Sequence, residues 1–215
     1  MPDQGLKGAL LAALRFHEIG NDTPYKLYFA GKGNSGASFG FMQGDLAAGQ
    51  KVAQHTFQNV LAAEKFPPGE IASLLARLSV HLVNSPLSRA EENEVNAALK
   101  AQKKLVDKMD EEIAQGVFED LDLCIGTATA NGREIDPKAQ LYIAMWINMT
   151  GKPSKLLTWL RGGDPQLREK IAKPGPKVDT KAIEIYLLAT DYYTRNPQNF
   201  KHMRESVAKG VPLIP

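Results

Sequence analysis

The 215-residue sequence predicts a mostly α fold of the α+β class, with about eight or nine helices and a small β-hairpin near the N-terminus. Three observations carry that expectation. Apolar residues recur three and four apart along most of the chain, the period of a half-buried helix. Helix-opening residues, prolines paired with Asp or Asn and one Ser–Glu pair three apart, punctuate the chain from residue 67 onward. Residues 25–43 alone combine an aromatic stretch with glycines and serines in a hairpin pattern. At 43% apolar and 23% charged the chain has the composition of a globular domain. It reads as a single domain, with a hairpin lobe at about residues 21–44 and a helical lobe at about 45–215.

Leu6, Leu10, Ala13, Leu14 and His17 lie on one helical face, and Gly20 can stop that helix. Residues 25–29 (YKLYF) read as a strand, residues 30–38 (AGKGNSGAS) as a turn, and residues 39–43 (FGFMQ) as the second strand. Asp45 is expected as the N-cap of a helix running to about Glu64. Pro67-Pro68 opens a helix carrying Ile71, Leu74, Leu75 and Leu78, and Ser88 with Glu91 has capping-box form. Asp136-Pro137 and Asp164-Pro165 each pair an N-cap carboxylate with proline at the first helical position. Asp179 precedes a helix over about 183–192, and Asn196-Pro197 opens the last one. Gly116 and Asn131-Gly132 are expected to break helices.

Several functions are disfavoured at once. The 26 basic and 24 acidic residues leave a charge of +2, and the basic ones are scattered, so no nucleic-acid footprint is present. The run from 135 to 150 is interrupted by Asp136, Lys138 and Gln140 and is too short to cross a bilayer. One cysteine, Cys124, excludes an internal disulfide and any multi-cysteine metal site. His17, His55, His81 and His202 show no paired ligand spacing, so neither metal nor other cofactor is expected. The charged stretch 100–112, with Leu105, Val106, Met109 and Ile113 at helical spacing, reads as a solvated amphipathic helix. Residues 6–14 lack the basic start and the cleavage site of a signal peptide and read as folded helix.

Candidate chemistry concentrates between residues 18 and 45. Glu18 falls in the last turn of the first helix, where unpaired carbonyls and the negative dipole end disfavour a carboxylate charge. That is the tendency a general acid near neutral pH needs; an exposed helix-end glutamate is the plain alternative. The loop bearing Lys32, Asn34, Ser35 and Ser38 is either a ligand-approaching backbone or an ordinary hairpin turn. It lacks the Gly-Lys-Ser/Thr ending of a nucleotide-binding loop.

Two separated segments carry a family resemblance. Residues 39–45 (FGFMQGD), preceded by 33–38 (GNSGAS), resemble a segment of goose-type lysozymes and the Gly-Leu-Met-Gln segment of lytic transglycosylases. In those families it lies downstream of a catalytic glutamate that ends a helix, the place Glu18 occupies here. Residues 146–151 (WINMTG), followed by Ser154, Leu156, Leu157 and Leu160, are similar to the Tyr/Phe-Asn-x-Gly stretch of phage-type lysozymes and transglycosylases. Ile19 stands where transglycosylases have serine after the glutamate, and Asn34 where goose-type enzymes carry an extra aspartate.

The resemblance implies a lysozyme-like fold with a substrate cleft between lobes, cutting the β-1,4 glycan of peptidoglycan or a related amino-sugar polysaccharide. Glu18 would be the general acid. Asp45 would hold or activate water with Ser38 or Ser35 helping, if the reaction inverts. Gln43, Asn34 and Ser35 would bind sugar, Tyr28 and Phe39 would stack on it or pack in the core, and Asn148 would contact it from the opposite wall or tie helix to loop. Hydrolysis, transglycosylation, chitosan cleavage, non-catalytic glycan binding and the role of a helical interaction protein are all compatible with these residues. With no evident signal, the expected route from cytoplasm to cell wall is phage-type lysis or specialised secretion, the latter implying an immunity protein as partner.

Overall fold

The computed structural model describes residues 4–29, 31, 34–47 and 51–214, and side chains from Leu6 onward. Lys32 and Gly33 of the expected ligand loop lie outside the described residues. Helix accounts for 65% of the structure and strand for 5%, which makes the fold mostly α with a minor β element. The chain forms two compact units. One comprises residues 1–17 and 115–215, the other residues 18–114.

The unit of residues 18–114 holds the sheet. Its strands are β1 (Tyr28–Phe29), β2 (Ala37–Phe39) and β3 (Gly44–Asp45), antiparallel in the order β1-β2-β3. The expected second strand at 39–43 is therefore a strand ending at Phe39, a turn, and then a third strand. Asp45 sits in β3 and caps no helix; α2 spans Lys51–Ala63. Two more helices follow, α3 (Pro68–Leu78) and α4 (Arg89–Ala101). The capping box is formed: Ser88 Oγ accepts from the Glu91 N–H, and the Ser88 N–H donates to the Glu91 carboxylate. Phe39, Leu46, Phe57, Leu61, Leu78, Leu99 and Met109 fill this unit's core, each at 0–1% exposure. Residues 45–114 thus share a core with the sheet.

The other unit contains most of α1 (Gln4–Ile19), the C-terminal part of α5 (Lys103–Ala130), α6 (Pro137–Thr150), α7 (Ser154–Leu160), α8 (Thr180–Leu188), α9 (Asp191–Arg195) and α10 (Pro197–Gly210). Strands β4 (Glu134–Ile135) and β5 (Lys177–Val178) pair in parallel, a pairing that residue patterns did not suggest. Asp136 caps α6 through the Ala139 N–H (2.8 Å) with Pro137 in the first turn, as expected. Asp164-Pro165 opens no helix: Asp164 accepts from the Gln166 N–H (2.9 Å), and Gln166 takes a left-handed φ of 52°. Gly116 breaks nothing, because α5 buries Val106, Met109, Val117, Phe118, Leu121 and Cys124 along one stripe. That apolar face outweighs the roughly 1 kcal/mol that glycine costs a helix. The helix expected over 183–192 is instead two, because Thr190 Oγ1 bonds the Leu187 carbonyl (2.6 Å) and caps α9.

Candidate active site

Glu18 is half-buried in the last turn of α1, and Gly20, at φ +59°, ends the helix two residues later. The helix end is held. The carbonyl of His17, the residue before Glu18, accepts a hydrogen bond from His202 Nε2 of α10 (2.9 Å). Because a carbonyl only accepts, that nitrogen carries the proton. The His17 and His202 rings stack with centroids 4.9 Å apart, and His17 Nδ1 lies 3.2 Å from Ser206 Oγ. Two histidines that looked isolated in sequence are thus neighbours. Burial, and then the charge of His202, lower the His17 pKa from 6.5 to about 4.

After Gly20 the chain is tied down at successive points. The Asp22 N–H donates to the Ile19 carbonyl (3.0 Å), and Asp22 pairs with Lys26. The Lys26 hydrogen bond, followed by the Thr23 N–H, holds the Asp22 carboxyl below the usual range. Tyr25 donates its hydroxyl to Asp107 of α5 (2.8 Å), and the Leu27 N–H donates to Asn96 of α4 (2.8 Å). The Gly40 N–H reaches the Pro24 carbonyl (2.8 Å), joining the β2–β3 turn to the segment that follows Glu18.

The sheet then sets three expected site residues in a row. Tyr28 pairs with Ser38 and Ser38 with Asp45, so their side chains share one face across β1, β2 and β3. Ser38 Oγ donates to Gln43 Oε1 (2.8 Å), and Gln43 Nε2 donates back to the Gly40 carbonyl (2.9 Å). Gln43 itself adopts φ +51°, which turns its side chain back toward Ser38. Asp45 Oδ1 accepts from the backbone N–H groups of Gly36 (3.1 Å) and Ala47 (2.7 Å), tying the residue before β2 to the chain leaving β3.

Other expectations are relocated. Phe39 is wholly buried against Phe57 (centroids 6.0 Å), so it packs in the core and offers no face to a ligand. Tyr28 is half-buried, with the Lys26 ammonium 4.9 Å from its ring centre and its hydroxyl donating to the Thr23 carbonyl (2.5 Å). Asn34 is exposed and Ser35 half-buried, the Ser35 carbonyl accepting from the Leu82 N–H (3.0 Å). Asn148 belongs to α6, in the other unit, and is half-buried there. Among the described residues no cluster of three metal-ligating side chains occurs. No described helix is long and apolar enough to cross a membrane.

Sequence reasoning missed Asp110. This aspartate of α5 has 0% exposure, yet its two oxygens accept from the backbone N–H groups of Met42 (2.9 Å) and Phe41 (2.8 Å). It anchors the turn that presents Gln43. Gly40, at φ +80°, is required beside it, since a Cβ there would lie 2.3 Å from Asp110 Oδ1. The signal available in sequence was an acid falling between the apolar positions Met109 and Ile113 of an amphipathic helix.

No family model matches the chain, and no curated protein or solved structure is significantly similar to it. The chemistry of the site therefore has to come from its own residues.

Proposed function

We propose that the protein cleaves β-1,4-linked amino-sugar strands, peptidoglycan foremost, as a glycoside hydrolase or lytic transglycosylase with Glu18 as general acid. One observation carries the reading: a half-buried glutamate ends a helix and is followed by an antiparallel sheet with Tyr28, Ser38 and Asp45 in one row. Glu18 would protonate the glycosidic oxygen as positive charge develops at the anomeric carbon. Ser38 and Gln43 form a fixed pair able to orient a sugar amide or a water molecule, with the turn behind them anchored by Asp110. If the reaction inverts, Asp45 would hold or activate the attacking water.

The test is release of soluble fragments from murein sacculi, and from chitosan in parallel, read by mass spectrometry. Wild type is expected to release fragments, and Glu18→Gln to lose at least about a hundredfold in rate, the scale of general-acid contributions. Reducing ends would identify a hydrolase and anhydro-muramic ends a transglycosylase. A second reading, glycan binding without turnover, is favoured by Asp45 serving as a backbone brace. Under it, sacculi pull down both wild type and Glu18→Gln and neither releases fragments.

A further inference from the structure

A pocket of about 290 Å³ lies in the unit of residues 1–17 and 115–215, lined by side chains of α6, α7, α8 and α9 that the candidate site does not use. Its walls include Trp146, Tyr186 and Tyr192, with Leu156 beneath. The aromatic wall is already ordered: Tyr192 meets Trp146 edge-on at 6.2 Å, and its hydroxyl accepts from Asn199 Nδ2 (2.8 Å). The two tryptophans of the chain differ in a telling way. Trp159 is 3% exposed and donates its indole N–H to the Ala172 carbonyl (2.9 Å). Trp146 is only half-buried, and among the described residues no hydrogen bond is made by its indole N–H.

Around that wall the rim is polar and of mixed sign. Thr150, Lys152, Ser154 and Asp191 are all exposed among its lining residues. Lys155, also at the rim, already donates to the Gln166 carbonyl (2.9 Å). With one of the two lining ammonium groups so engaged and a carboxylate in the same rim, a phosphate ester is poorly matched. An acyl chain would leave the indole N–H without a partner, although the Thr150 hydroxyl already donates to the Trp146 carbonyl (2.7 Å). A pyranose fits both halves, with an apolar C–H face for the indole and a rim of hydroxyls and acetamide for the polar edge.

We propose that this pocket is a second saccharide site, taking a short piece of amino-sugar glycan with Trp146 as its platform. The choice of ligand rests on the glycan reading above; the site is independent of Glu18. The test uses the full chain carrying Glu18→Gln, with both tryptophans replaced biosynthetically by 5-fluorotryptophan, titrated with the N-acetylglucosamine tetramer and followed by ¹⁹F NMR. Trp146→Phe assigns the two resonances.

The Trp146 resonance is expected to move saturably while that of Trp159 stays. Tyr192→Ala should weaken the response about tenfold or more, and Gln43→Ala should leave it unchanged. A Trp146 resonance that does not move up to millimolar tetramer overturns the proposal. So does a shift that Gln43→Ala abolishes, because the response then belongs to the other site. The two readings fail separately. Sacculi left intact by wild type together with a moving Trp146 signal refute cleavage and keep the pocket, and the reverse result does the opposite.

Discussion

Replacing Asp110 by asparagine preserves the shape of the side chain but sets an NH₂ group against one of two backbone N–H groups, at Phe41 or Met42. An orphaned buried donor costs about 1–3 kcal/mol, so Asp110→Asn should lower the urea midpoint and speed amide exchange in the turn before it affects other parts of the same unit. Gly40→Ala should do more, adding a Cβ to a left-handed backbone already against the carboxylate. His17 makes a pH prediction. Its folded pKa of about 4 lies below the ordinary 6.5, so the unfolded chain binds the proton first. Its neutral form therefore supports stability above pH 6.5, and that support falls away between pH 6.5 and about 4. The groups facing it are His202, with Glu205 4.0 Å beyond, and Ser206. Melting temperature compared at pH 7 and 4.5 should drop more for wild type than for His17→Gln. Neither residue was legible beforehand. Asp110 sits in a strongly charged run where one buried acid looks like its solvated neighbours, and the His17–His202 stack joins positions 185 residues apart.

At the scale of elements, the helix starts were readable because their chemistry is local. Ser88, Asp136 and Asp179 each receive the N–H three residues on, and Ser88→Ala should cost about 1 kcal/mol in a denaturant titration. The Arg77–Glu91 contact adds a bond between α3 and α4 at 2.6 Å and holds the Glu91 carboxyl down at about 2. The misread elements have two causes, a signal that tertiary context overrode at Gly116 and Asp45, and a local cap that went unrecognised at Thr190. Gly116 lies in a helix whose apolar stripe continues past it, and Thr190 ends α8 through its own side chain. Asp45 has the chemistry of a cap but braces a strand. For the candidate site, the Phe39–Asp45 segment was visible as a pattern. Which of its aromatics faced inward depended on Phe57, eighteen positions away, and could not be.

For the molecule as a whole, Cys124 offers a probe. It is fully buried, and burial with the nearby Asp120 charge pushes its thiol up to about 12. Since the thiolate is the reactive form, Ellman's reagent should leave the native protein unlabelled and react only as residues 115–215 open. A slow labelling rate that tracks unfolding seen by circular dichroism would bear this out; rapid modification of folded protein would refute it.

The partition of the chain has a further meaning for its birth. Gly210 at the end of α10 lies so close to α1 that a Cβ there would come within 2.4 Å of the Ala9 carbonyl. Helix α1 therefore finds this neighbour only after about two hundred further residues have been made, whereas residues 18–114 have their own core in hand far earlier. During synthesis α1 thus waits, its leucines exposed, for α10 to arrive.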